Sequence, residues 1–135
     1  MKRVDYLIAL GLFGLVLIYY VFQACPTFYF WDSAELAAAI ASGGIPHPPG
    51  FPLYLILAKM FCSILPFDIG KASGLFSAFC GSVSVGIFYL ILLKLLNGSK
   101  TIPAIGRILA LGGSISLAIS SSLTAQATRG EVYAL

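Results

Sequence analysis

From Tyr6 to Trp31 the chain carries no charged residue. An apolar helix of about 20 residues crosses the hydrocarbon core of a bilayer. Residues 6–25 are therefore expected to form a first transmembrane helix. Lys2 and Arg3 precede it and place its N-terminus on the cytoplasmic side. The rival reading is a cleaved signal peptide. Its hydrophobic region would be long for one, and Phe22-Gln23-Ala24-Cys25 only loosely resembles a lipoprotein cleavage box. The remainder of the chain is of the same kind: 59% of residues are hydrophobic, 10% are charged, and the mean hydropathy is +0.98. Those values exclude an ordinary soluble domain and a disordered chain. The formal charge of +3 reads as cytoplasmic anchoring charge. Without a basic stripe interleaved with aromatics, no nucleic-acid partner is expected.

After Pro26 comes an aromatic cluster, Phe28-Tyr29-Phe30-Trp31, of the type found at membrane interfaces. Asp32 or Ser33 can cap a short helix over 33–42, which Gly43-Gly44 ends. Pro46-His47-Pro48-Pro49-Gly50 is too rigid for a helix interior. A second short helix is expected over 52–65, and longer apolar runs follow over 72–96 and 108–124. Two topologies compete. If 52–65 spans the bilayer, the loop carrying Lys94, Lys100 and Arg107 lies outside, against the positive-inside rule. If 52–65 lies along the outer interface, that loop falls inside with Lys2 and Arg3. The second is preferred. The last span then delivers Arg129 and Glu131 to the side that carries Asp32, Glu35 and His47. The expected fold is thus an all-α integral membrane domain, with three transmembrane helices and two interfacial helices in the first outer loop. Gly112-Gly113-Ser114 and Ser120-Ser121-Ser122 suit close helix packing. The chain stops at Leu135 directly after a hydrophobic segment, and reads as the N-terminal part of something longer. Cys25, Cys62 and Cys80 show no metal-ligand spacing and read as packing residues. A Cys25–Cys62 disulfide would need both in an oxidising compartment.

Three of the five acids, Asp32, Glu35 and Glu131, lie at membrane edges beside apolar helices, where ionisable groups are functional candidates. Asp32 and Glu35 share one helix face. Together they can supply a general base, or, more plainly, an N-cap and a first-turn acid. His47, the only histidine, sits on a stiff loop where it can orient a phosphate, shuttle a proton or simply hold the loop by a hydrogen bond. A lone histidine argues against a zinc site, so no metal or other cofactor is expected. Lys59 and Arg129 are the cations nearest the outer face and suit an anionic phosphate. The plain alternatives are snorkelling for Lys59 and pairing with Glu131 for Arg129.

Four runs occur in a fixed order: Asp32-Ser33-Ala34-Glu35, then HPPGFPLY over 47–54, then Leu75-Phe76-Ser77-Ala78, then EVYAL over 131–135. The series resembles a family of bacterial membrane proteins related to the eukaryotic O-mannosyltransferase of plexin-type receptor domains. The layout is also similar to that of the classical protein O-mannosyltransferases, and both belong to the GT-C class of membrane glycosyltransferases. Gly74 and Leu123 depart from the pattern, which has asparagine and commonly an aromatic residue at those places. The resemblance implies a GT-C-like N-terminal module in a bacterial inner membrane with its site on the outer face. The donor would be a sugar, mannose among the candidates, on a polyprenyl phosphate. The acceptor would be a hydroxyl on a protein or glycan, and transfer would be inverting. Asp32 would be the base with Glu35 as its partner. His47, Lys59 and Arg129 would offset the leaving phosphate, and Glu131 and Tyr133 would complete the site. The contrasting expectation is a non-catalytic polytopic protein such as a transporter fragment, whose polar residues would line a path across the bilayer. A third is a remnant membrane domain that only binds partners.

Overall fold

The computed structural model describes residues 2–27, 32–98 and 103–135. The aromatic cluster 28–31 and Lys100 lie outside the described residues. The described chain is helical, with no strand among those residues: α1 (Arg3–Gln23), α2 (Ser33–Ser42), α3 (Pro52–Cys62), α4 (Ile69–Gly98), α5 (Pro103–Ala118) and α6 (Ser121–Ala127), then a 3-10 turn over Val132–Ala134. Two helices, α1 and α4, are long and apolar enough to cross a membrane, and α5 with α6 makes a third if the bent pair is one span. On α1 the buried residues are Asp5, Ala9, Leu12, Val16 and Tyr20, one narrow stripe at helical spacing. Its other faces expose Leu7, Leu10, Leu15, Ile18 and Phe22. A helix apolar all round, with only one stripe covered by protein, is suited to lipid.

Helices α1 and α4 run antiparallel. Their close approaches climb along α4 as they descend along α1, with Gly74 beside the Cys25 carbonyl, Gly81 beside Tyr20 and Gly86 beside the Ala9 carbonyl. Helix α5 runs parallel to α1. Arg107, near its start, bonds Asp5 at 2.8 Å, and the carbonyl of Ala118, at its end, accepts from the Tyr20 hydroxyl at 2.8 Å. The bundle therefore has two ends. One holds Lys2, Arg3, Asp5 and Arg107. The other holds the C-terminus of α1, the start of α4, and α2 and α3, which pack on the first turns of α4. Both α2 and α3 thus stay at the second end.

Helix α4, 30 residues and roughly 45 Å long, outreaches a hydrocarbon core of about 30 Å. It serves two cores. Its first turns, through Ala72 and Phe76, pack with Leu36, Ile40, Tyr54, Ala58 and Cys62 of α2 and α3. Its later turns, through Ala78, Val85, Tyr89 and Leu93, pack with α1 and α5. All three cysteines are free. A Cβ on Gly81 would sit 2.8 Å from the Ala127 methyl and 3.3 Å from Tyr20, crowding the contact of α4 with α6 and α1. Gly81→Val should therefore destabilise the bundle by about 1–3 kcal/mol, read as a lower thermal midpoint in detergent.

Where a last span is expected over 108–124, the chain forms two helices bent by 61°. The bend has a visible cause. The Ala118 carbonyl is taken by the Tyr20 and Thr124 hydroxyls, and Ser120, in an extended conformation, caps α6 by accepting from the Leu123 N–H. Ser120, expected as a packing residue, is an N-cap. Gly113 does pack: a Cβ there would meet Leu92 of α4 at 2.9 Å.

Candidate functional site

The loop before α3 is built by its own residues. The Gly50 N–H donates to the His47 carbonyl at 2.9 Å, closing a turn around a cis Pro48–Pro49 bond. Gly50 and Phe51 then take left-handed backbone angles, φ +83° and +43°. For phenylalanine this is a strained conformation. It is held because the Phe51 ring packs on the α2–α3 core and makes an edge contact with the His47 ring at 5.7 Å. Proline at the first position then starts α3.

This loop is tied to the first turn of α2. The Glu35 carboxylate accepts twice from His47, from the backbone N–H at 2.7 Å and from Nδ1 at 2.8 Å. The other ring nitrogen, Nε2, lies 3.8 Å from the Asp32 carboxylate. With a carboxylate facing each nitrogen, the ring bridges the two acids. The hydrogen bond from Glu35 pushes the His47 pKa above the ordinary histidine value, with smaller help from the charges of Glu35 and Asp32. The same hydrogen bond lowers the Glu35 pKa. Asp32 does not cap α2 with its side chain; its carboxylate stands half-exposed beside His47 instead. Donor atoms of Asp32, Glu35 and His47 lie within 4.8 Å of one another, close enough to share a cation, a proximity that counting histidines in the sequence does not reveal.

On the other side of Asp32 a cleft of about 320 Å³ opens, lined by Asp32, Gln126, Arg129, Glu131 and Tyr133. The segment after α6 is fastened to the end of α1 and to α4 to form it. The Cys25 N–H donates to the Thr128 carbonyl at 3.0 Å, and the Ser77 hydroxyl donates to the Glu131 carbonyl at 3.1 Å. Gly130, at φ +65°, lies so close to Ser73 that a Cβ would come within 2.8 Å of its hydroxyl. Glu131 is buried at 8% exposure, whereas Tyr133 is 69% exposed. Burial, followed by the charge of Asp32, raises the Glu131 pKa, and Arg129 opposes this.

Six of the seven candidate residues thus meet at one end of the bundle: Asp32, Glu35, His47, Arg129, Glu131 and Tyr133. Lys59 does not join them. Its ammonium lies against Gly43, at the opposite end of α2, roughly 16 Å along the helix from Asp32. There it lies beside the carbonyl end of α2, where a cation suits the helix dipole. Gln126 was not a sequence candidate, because nothing in its neighbourhood marks it; it enters through the bend that starts α6. Ser77 lay within a matching run but carried no assigned role.

Residues 32–135 match the family described as the N-terminal domain of protein O-mannosyl-transferase TMEM260. The chain belongs to this family. A mouse relative named protein O-mannosyl-transferase TMEM260 is 36% identical over 82 residues, which is 60% of this chain and 11% of the relative. The chain thus spans about a tenth of the length of that TMEM260 protein. No solved structure matches it. The TMEM260-type match begins at Asp32, the residue at which the α2–loop–cleft arrangement also begins.

Proposed function

We propose that this chain is the catalytic N-terminal module of a GT-C-type membrane glycosyltransferase. It would transfer a sugar, mannose by analogy with the relative's name, from a polyprenyl-phosphate donor to a protein hydroxyl. The observation that carries the reading is the gathering of Asp32, Arg129 and Glu131 around one polar cleft at one end of an otherwise apolar bundle. Asp32 accepts the proton of the acceptor hydroxyl as its oxygen bonds to sugar C1. The C1–O bond to phosphate breaks with inversion, and its electron pair leaves with the polyprenyl phosphate. Arg129 offsets the charge that develops on the leaving group. Glu35 and His47 position Asp32. By the positive-inside rule the Lys2/Arg3/Arg107 end faces the cytoplasm and the cleft faces the outer or lumenal side.

Transport is the weaker reading. Between the two charged ends the core is mainly aliphatic, with Ala9, Leu12, Val16, Val85 and Leu93, and its one unpartnered hydroxyl among the described residues is that of Tyr89. The buried hydroxyls of Ser82 and Ser114 bond back to carbonyls of their own helices. No polar path across the bundle is present among the described residues.

The test is transfer of labelled mannose from polyprenyl-phosphate mannose by the intact protein in membranes. Transfer to protein hydroxyls supports the reading. Transfer from a nucleotide sugar but from no lipid-linked donor would overturn the donor class.

The Glu35–His47 tie also has a pH window. A histidine whose pKa is raised by folding contributes stability that is complete below its unfolded pKa and lost as pH rises through the folded one. A carboxylate whose pKa is lowered contributes above its unfolded pKa and loses that contribution as pH falls through the folded one. The tie is therefore intact between the lowered Glu35 value and the raised His47 value. Transfer should fall on the alkaline side as His47 deprotonates. In Glu35→Gln the His47 imidazole should titrate at lower pH, measured by NMR of the ring. An unchanged His47 titration in that variant would contradict the bridge.

A further inference from the structure

Among the described residues only two acids are buried, Asp5 and Glu131. Asp5 is paired with Arg107. Glu131 is different: its carbonyl accepts from Ser77, and the charges acting on its carboxyl are those of Asp32 and Arg129. That carboxyl forms part of the wall of the cleft. A carboxylate on a buried residue that faces a second carboxylate is costly, and such a group favours its protonated form.

We propose that Glu131 carries a proton in the resting site and donates it as a hydrogen bond to a hydroxyl of the donor sugar. The inference rests on the glycosyltransferase reading and adds the residue that recognises the sugar ring.

Three features support it. The groups facing Glu131 come from four elements: Asp32 at the start of α2, Tyr54 on α3, Gln126 on α6, and Arg129 and Tyr133 on the segment after it. The negative neighbour and the burial both favour the neutral acid, and the single guanidinium opposes them. The cleft, about 320 Å³, lies at the small end of ligand pockets. It suits one sugar ring with its phosphate rather than an extended glycan. Its lining also divides the work. Arg129 suits the phosphate. Half-exposed Asp32 can meet an acceptor arriving from solvent. Gln126 and a protonated Glu131 are left for ring hydroxyls. Two carboxyls in contrasting surroundings taking opposite proton roles is a recurring arrangement in glycosyl chemistry.

The experiment measures transfer by the intact protein in membranes, from polyprenyl-phosphate mannose and from its singly deoxygenated mannose analogues. Glu131→Gln keeps a donor of the same shape and should retain transfer within about tenfold. Glu131→Leu removes the donor and should lose roughly 100-fold, mostly in the KM for the lipid-linked sugar. On the one deoxy donor that lacks the partner hydroxyl, the Gln and Leu variants should converge. The proposal is overturned if Glu131→Gln is as inactive as Glu131→Leu while Glu131→Asp remains active, since that pattern requires the charge. Equal Leu penalties on every deoxy donor also overturn it. Glu131→Gln, nearly isosteric, separates these outcomes from misfolding. Should the wild-type protein transfer nothing from a lipid-linked donor, or should Asp32→Asn remain fully active, the underlying reading fails instead.

Discussion

Asp32→Asn should reduce sugar transfer by roughly 10²–10⁴-fold, the range supplied by a positioned general base. Membrane insertion and thermal midpoint should stay as in the wild type. The reasoning is geometric. The Asp32 side chain makes no capping bond to α2, so its loss removes no helix cap. It stands at the boundary of two constructions, the Glu35–His47 bridge on one side and the Arg129/Glu131 cleft on the other. An asparagine fills the same volume and cannot accept the acceptor's proton. A merely structural Asp32 would show the opposite pattern, a lowered midpoint with transfer per folded molecule retained. That pattern would remove the base from the mechanism.

Asp5→Ala should lower stability by about 2–3 kcal/mol, the scale of a charge-assisted hydrogen bond whose loss strands a partly buried guanidinium. Asp5 is 3% exposed, bonded to Arg107 Nε at 2.8 Å and to the Lys2 backbone N–H. It joins the starts of α1 and α5 where few other contacts do. Replacing both partners, Asp5→Leu with Arg107→Met, should recover most of the loss, because no charge is then left unpaired. Thermal denaturation of the four proteins of this double-mutant cycle checks it. Additive losses in the double variant would show that the two side chains act separately.

Much of this fold could be read from the chain because a membrane simplifies the code. Unbroken apolar runs gave α1 and α4, and Gly43 and the proline-rich loop marked where α2 ends and α3 begins. The break after Ala118 was not legible. It depends on the Tyr20 hydroxyl, which reaches that carbonyl from 98 residues away in sequence, while the local stretch is apolar enough to continue as one helix. The same distinction holds at the site. Asp32, Glu35 and His47 stood out because ionisable groups are scarce here. Gln126 and the placement of Glu131 facing Asp32 are products of tertiary folding, and so is the direction in which Lys59 points. Charge alone put Lys59 with the phosphate ligands, but α3 crosses α2 near its carbonyl end.

The Asp5–Arg107 pair has a consequence for how the chain is made. Its members are 102 residues apart. At a synthesis rate of about 5–20 residues per second, Asp5 is made roughly 5–20 s before its partner exists. Throughout that interval α1 must enter the bilayer with an unmatched carboxylate near its start, held by water and lipid headgroups. Only when α5 arrives does the first helix acquire its lock. The helix made first thus packs on α4 before its charged end is paired by α5.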